Sequence, residues 1–116
     1  MPIANCKLDG ALMADCKRSA GATNELIELW SAASSKDADE MTVNLIEISQ
    51  QFGKQYNIMA DLLLPSAWSA ADISWLQLGL AKALSTYFGI SIDEIIVLTH
   101  IVESGRVVES GQEVRW

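Results

Sequence analysis

The sequence predicts an α/β domain (two-layer α+β): two tandem β-α-β units forming a four-stranded sheet with two helices on one face, plus short C-terminal strands. Three observations predict it. A capped, amphipathic helix stands between two apolar strands in the stretch Leu62 to Val102. The segment Asp39-Glu40-Met41-Thr42-Val43 recurs as Asp93-Glu94-Ile95-Ile96-Val97, an offset of 54 positions. Two turn signals, Ser104-Gly105 and Ser110-Gly111, divide the tail into short pieces.

The second helix has the clearest signal. Pro65 and Ser66 break an apolar run, Ser69 offers an N-cap hydroxyl, and Asp72 follows at the spacing of a capping box, so a helix begins at Ala70. Ile73, Leu76, Leu80, Ala83, Leu84, Tyr87 and Phe88 recur at three- and four-residue steps and share one face. Gly89 suits the left-handed residue that ends a helix. The flanking strands, Tyr56 to Leu64 and Ile95 to Val102, are then joined by a helical crossover. Strands so joined lie parallel, with a right-handed connection.

The first unit follows the same plan. A strand opens at Met1 to Lys7, with Pro2 at its start and Ile3 and Asn5 on opposite faces. Leu8 to Gly21 carries little periodicity: Asp9-Gly10 reads as a turn, Ala11 to Cys16 as at most a helical turn, and Lys17-Arg18-Ser19 with Gly21 as solvated loop. Thr23 or Asn24 caps a helix that turns Leu26, Ile27, Leu29, Trp30 and Ala33 toward the core. Met41 to Ser49 alternates as a strand, with Met41, Val43 and Leu45 on one side and Thr42, Asn44 and Ile46 on the other. In the tail, Arg106 to Glu109 and Val114 to Trp116 read as short strands. The offset that relates the two acidic junctions also takes Leu26 to Leu80 and Trp30 to Leu84. The pseudo-repeats run approximately over 2–49 and 56–102, and neither buries its helix face alone.

Bulk properties narrow the function. A chain of 116 residues reads as one domain spanning 1–116. Half its residues are hydrophobic and its mean hydropathy is +0.20, high for a domain with so much surface to cover, so part of that surface is expected to meet another subunit. A sheet with helices on one side leaves its other face bare. Copies of the same chain are the natural cover, and the tail strands can pair with a neighbour's sheet edge. No apolar run reaches the ~20 residues of a membrane span, and the N-terminus lacks the basic-then-apolar pattern of a leader. A soluble, cytoplasmic protein without membrane partners is expected. With a net charge of −7 and scattered Lys and Arg, nucleic acid is not an expected partner. Cys6 and Cys16 lack a Cys-x-x-Cys spacing and read as reduced; His100 is the single histidine, so no metal and no cofactor is expected.

Taken together, the two β-α-β units, the proline after the initiator methionine, and a second helix ending in Ala83-Leu84-Ser85-Thr86-Tyr87-Phe88-Gly89-Ile90-Ser91 before an Asp-Glu-initiated strand resemble the tautomerase superfamily, and within it the macrophage migration inhibitory factor (MIF)-like branch. The resemblance covers nearly the whole chain in layout, and at residue level Leu78 to Val97 and Pro2. It implies a tautomerase-like homotrimer with active sites at subunit boundaries. It also implies keto–enol isomerisation of a small carbonyl or enol compound. The resemblance further implies that removal of Met1 leaves Pro2 with a free secondary amine, whose charged form an apolar pocket disfavours, so that it serves as general base near neutral pH.

The other site residues follow from the same resemblance. Lys36 corresponds to a lysine before the second strand and stands as the polarising cation. Ser66 and Trp68 follow the third strand, where the family's pocket wall lies, and Arg106 is the candidate cation for substrate binding. Branches with dehalogenase and decarboxylase activity use paired arginines near the end of the third strand, and none lies between Tyr56 and Asp72. Where the family's partner strand carries polar residues, this chain has Ile96 and Leu98. The alternative is therefore a catalytically silent homotrimer that binds ligands or partners. By their positions, His100 reads as a structural residue, Trp30 and Trp75 as packing residues, and Asp93-Glu94 as a solvated turn.

Overall fold

Strand β1 (Ile3–Leu8) lies inside a four-stranded sheet of order β2 (Thr42–Glu47), β1, β3 (Ile58–Pro65), β4 (Ile95–Val102) in the computed structural model, which describes residues 1–18 and 24–116. β2 runs parallel to β1, starting at the pair Ile3↔Thr42. β3 runs antiparallel to β1, with Ala4 opposite Leu62 and Cys6 opposite Ala60. β4 is parallel to β3, starting at Ile58↔Ile95. Each β-α-β unit therefore supplies one parallel pair, and the two units meet antiparallel along β1 and β3.

One face of the sheet is apolar. Ala4, Cys6 and Leu8 of β1 and Ile58, Ala60, Leu62 and Leu64 of β3 are buried at every second position, as a half-buried strand requires. Against it pack α2 (Glu25–Ser34) with Leu26 and Trp30, and α3 (Ala70–Phe88) with Leu76, Leu80 and Leu84. Each fully buried leucine contributes about 2 kcal/mol relative to an exposed one. The indole of Trp30 donates to the Leu76 carbonyl at 3.0 Å, and the Ser34 hydroxyl donates to the Trp30 carbonyl at 2.7 Å. The polar atoms carried into this interface are thus satisfied. Gly79 lets the two helices approach, since a Cβ there would stand 3.2 Å from both the Cβ and the backbone nitrogen of Ser34.

The internal repeat extends to hydrogen bonds. Ser35 and Gly89, 54 positions apart, both adopt the left-handed conformation after α2 and α3, and their N–H groups donate to the carbonyls of Ser31 and Ser85. The hydroxyls of those two serines donate to the carbonyls of Lys36 and Ile90, at the same offset. Asp37 and Ser91 then cap matching 3₁₀ turns, accepting from the N–H of Asp39 and Asp93. Two copies of one helix-to-strand junction therefore deliver the chain to β2 and β4. Ser69 caps α3 by accepting from the N–H of Asp72 at 3.1 Å, as the sequence spacing requires.

The structure departs from the sequence expectation in several places. Leu8 to Gly21 is not loop around a single helical turn, because α1 (Gly10–Arg18) occupies its described part. Asp9 is a cap rather than a turn residue: its carboxylate accepts from Leu12 N–H at 3.0 Å, and Met13 reaches the core. The expectations for Ser19, Gly21 and Thr23 lie outside the described residues; Asn24 occupies the N-cap of α2 without a side-chain capping bond. Trp75 is 59% exposed rather than packed, because the step before Leu76 carries it off the buried stripe of α3. The tail strands β5 (Val107–Glu109) and β6 (Gln112–Val114) pair antiparallel with each other, and β6 ends before Trp116.

The other sheet face is mixed. Asp61 at its middle lies 3.3 Å from His100 Nε2 and 3.5 Å from Lys7 Nζ, and Asn44 donates to Asn5 at 2.8 Å. Ile46 and Leu98 remain exposed on it. Among the described residues, no helix is long and apolar enough to cross a membrane.

Candidate active site at the N-terminal proline

Pro2 is fully buried at the mouth of the sheet. Its carbonyl accepts from Thr42 N–H at 2.9 Å, one residue ahead of the β1–β2 ladder, so the strand pairing itself holds it in place. Met1 precedes it, with its ammonium 3.9 Å from Glu40 Oε2.

Two cavities meet at Met1. One, of about 370 Å³, is lined by Met1, Asp39, Glu40 and Thr42 and by Val108 and Glu109 of β5, among others. The other, of about 180 Å³, is bounded by Met1, Pro65, Ala67, Val107, Val114 and Trp116, together with Glu109. The β5–β6 hairpin is their common wall. It is anchored where Gly105 N–H donates to the Val114 carbonyl at 3.0 Å, Trp116 N–H to Ser104 Oγ at 2.8 Å, and the Trp116 indole to Ser66 Oγ at 2.9 Å. The charged side chains of these walls are Asp39, Glu40 and Glu109; among the described residues lining them there is no Lys, Arg or His.

The sequence-nominated residues fall into two groups, with Arg106 apart from both. Pro2 directly follows Met1, which lines both cavities, and Ser66 adjoins the smaller one through its bond to Trp116; neither residue itself lines a cavity. Lys36 and Trp68 form a separate cluster at the start of α3: Lys36 Nζ lies 5.6 Å from the Trp68 ring centroid and 2.7 Å from Asp72 Oδ1. That Lys36 hydrogen bond is the main cause holding the Asp72 carboxyl below its ordinary range, with smaller help from the Lys36 charge and from Ser69 against partial desolvation. Arg106 is exposed, lines neither cavity, and donates its backbone N–H to the Glu103 carbonyl at 3.1 Å.

Sequence reasoning missed Glu40, Glu109, Val107, Val114 and Trp116 as wall residues. The acidic repeat did mark Glu40, but as a strand junction. Nothing local marked Trp116, whose partner Ser66 is 50 positions away. Cys6 lies under the sheet on the buried face of β1. Burial, and secondarily the Asp61 charge, push its thiol up to about 12, so it offers no nucleophile at neutral pH.

No family model matches the chain, and no curated protein matches it in sequence. Solved structures do match in fold. The R7 fused 4-OT wild-type asymmetric trimer aligns over 96% of this chain and 94% of its own, with a TM-score of 0.76 at 14% identity. N1, a member of the cis-3-chloroacrylic acid dehalogenase family, aligns over 97% of this chain and 82% of its own, with a TM-score of 0.73 at 11% identity. MIF2 of Leishmania major aligns over 88% and 89%, with a TM-score of 0.54 at 14% identity. At these identities the likeness concerns backbone arrangement, and it shows that this chain has the tautomerase-like fold.

Proposed function

We propose that the chain is a tautomerase-superfamily protein that isomerises a small carbonyl or enol compound, using Pro2 as general base once Met1 is removed. The observation that carries this reading is that Pro2 is buried and directly follows Met1, a residue that lines two cavities. While Met1 is attached, the Pro2 nitrogen is an amide and has no basic lone pair. Freed, it is a buried secondary amine: burial disfavours its charged form while Glu40 favours it, and where burial outweighs the carboxylate the neutral amine takes a proton from a carbon beside a carbonyl. The same amine returns the proton at the other end of the enolate, completing a 1,3-shift. Lys36 stabilises the enolate oxygen in this scheme if its pair with Asp72 opens; otherwise a backbone amide does so. Ser66 supports the wall after β3 through Trp116, whereas Trp68 and Arg106 would meet substrate only from outside both cavities. The Ala83–Ser91 segment supports the MIF-like branch, whereas the higher TM-scores to the 4-OT structures support the superfamily more broadly.

A homotrimer is part of the proposal, supported by the 4-OT neighbours, which are trimers, and by the exposed Ile46 and Leu98 on the uncovered sheet face. A cytoplasmic location accords with the sequence pattern.

The test is the enol-to-keto rate of phenylenolpyruvate and of its methyl ester across pH, on protein verified by mass to begin at Pro2, beside a Pro2→Ala variant of the same assembly state. A rate that follows one titrating group and collapses in the variant is expected. Equal rates in the two proteins would discard the catalytic reading. They would favour a silent homotrimeric binding module, to which the apolar Ile96 and Leu98 already point.

A further inference from the structure

We infer that Asp72 is a positioning residue that competes with the enolate oxygen for the Lys36 ammonium, so that releasing the pair raises the rate, an inference that rests on the reading of Lys36 as the cation that stabilises the enolate. Both partners belong to one chain, and the pair forms without any residue of a neighbouring copy. The cluster sits at the end of the sheet that holds Pro2. Lys36 lies just before β2, whose first residue, Thr42, donates its N–H to the Pro2 carbonyl. Trp68 lies just after β3, whose last residues run alongside the start of β1 in the register Ile3↔Leu63. The segments that carry them also border Met1: Asp39 and Glu40 share one cavity with it, and Ala67, beside Trp68, shares the other.

Within the cluster the backbone is fixed and the lysine side chain is the movable part. Lys36 N–H donates to the Ser31 carbonyl at 3.3 Å, and the Lys36 carbonyl accepts from the Ser31 hydroxyl. Asp72 N–H donates to Ser69 Oγ at 3.1 Å in the first turn of α3, where the helix dipole favours a carboxylate. The flexible Lys36 stem places its ammonium 2.7 Å from Asp72 Oδ1 and 5.6 Å from the Trp68 ring centroid. An enolate oxygen must therefore draw this ammonium from a carboxylate to gain its full stabilisation. The two side chains are 28% and 39% exposed, so water screens their attraction and the restraint is moderate, on the order of two- to fivefold in rate. Charge appears on the oxygen only as the proton leaves carbon, so the effect falls on kcat and not on KM.

The experiment is a double-variant cycle on protein verified by mass to begin at Pro2: wild type, Asp72→Asn, Lys36→Met and the two together, in one assembly state. Phenylenolpyruvate methyl ester is the substrate, since it brings no carboxylate of its own to Lys36. Asp72→Asn should raise kcat about two- to fivefold with KM unchanged. Lys36→Met should lower kcat by about tenfold or more, and Asp72→Asn should add nothing in that background. A fall in kcat in Asp72→Asn, a change confined to KM, or a gain that survives Lys36→Met would overturn the inference. So would an unchanged kcat in Lys36→Met.

A second readout needs no turnover. Acetic anhydride acetylates a lysine amine: the amide bond forms, acetate leaves, and the amine proton passes to solvent. Peptide mass spectrometry then gives the rate at Lys36 relative to the exposed Lys54 and Lys82. Asp72→Asn should speed acetylation of Lys36 about two- to fivefold against those standards. Equal rates would overturn the restraint whatever kcat does. An isomerisation rate untouched by Pro2→Ala would remove the base reading, and the acetylation would still decide whether Asp72 restrains Lys36.

Discussion

Lys36 Nζ lies 2.7 Å from Asp72 Oδ1 across 36 positions of sequence, tying the chain just beyond α2 to the first turn of α3. The cation that the sequence nominates for catalysis is thus also a structural partner.

This pair makes stability depend on acid. The Asp72 carboxyl titrates lower in the folded chain than in the unfolded one, so the unfolded state binds its proton first as pH falls. Its contribution is complete above the ordinary carboxylate range near 3.9 and is lost as pH falls through the lowered folded value. Urea denaturation across pH should show Asp72→Asn less stable than wild type at neutrality and less sensitive to pH below about 4. Because the pair is partly exposed, the loss at neutrality should be small. Unchanged acid dependence in the variant would remove the pair from the account.

At Gly79 two effects oppose each other. Alanine in a helix interior gains about 1 kcal/mol over glycine, while overpacking a tight contact costs about 1–3 kcal/mol. The new Cβ would meet the Ser34 backbone nitrogen at 3.2 Å and the Ala33 carbonyl carbon at 3.3 Å, atoms that cannot rotate away. Gly79→Ala should therefore destabilise by about 1 kcal/mol, and Gly79→Val by more. A rise in melting temperature for the alanine variant would show that the helices have room to separate.

Cys6 gives a prediction on the alkaline side. Its folded value of about 12 exceeds the ordinary thiol value, so the folded state retains a proton that the unfolded state releases. That stabilisation is full below the unfolded thiol pKa and is lost as pH rises toward 12. A thiol reagent at pH 8 should modify Cys6 only as fast as the chain opens, and Cys6→Ala should flatten the alkaline loss of stability. Rapid modification of the native protein would contradict the burial.

The proposed pocket depends on the chain end. Trp116→Ala removes the aromatic wall of the narrower cavity and should raise KM for an aryl substrate about tenfold. Ser66→Ala removes one exposed hydrogen bond, 2.9 Å from the indole, and should raise KM about two- to fivefold. Both effects belong on KM, since neither residue touches the Pro2 nitrogen in this reading. A large fall in kcat with KM intact would move Trp116 into the chemistry.

The sequence by itself determined the elements whose signals are local. The Ser69–Asp72 cap, the left-handed stop at Gly89, the stripe through Leu76, Leu80 and Leu84, and the bounds of β4 all depend on neighbours within a turn or two. The repeat at 54 positions was legible for the same reason: two short junctions with one hydrogen-bond pattern need similar residues at similar spacing. α1 reads in the sequence as no more than a helical turn at Ala11 to Cys16, because among its described side chains only Leu12 and Met13 pack on the core, too little apolar periodicity to distinguish a helix from a turn. Pro2 could be nominated from its place in the chain, but it is held in place by a hydrogen bond from Thr42, 40 positions away. The walls of the recess come from Glu40, Ser66 and the β5–β6 hairpin, which no sequence window contains together. Only the tertiary structure decided that those walls are acidic and that Lys36 faces Asp72, because charges combine by distance in space and not by order along the chain.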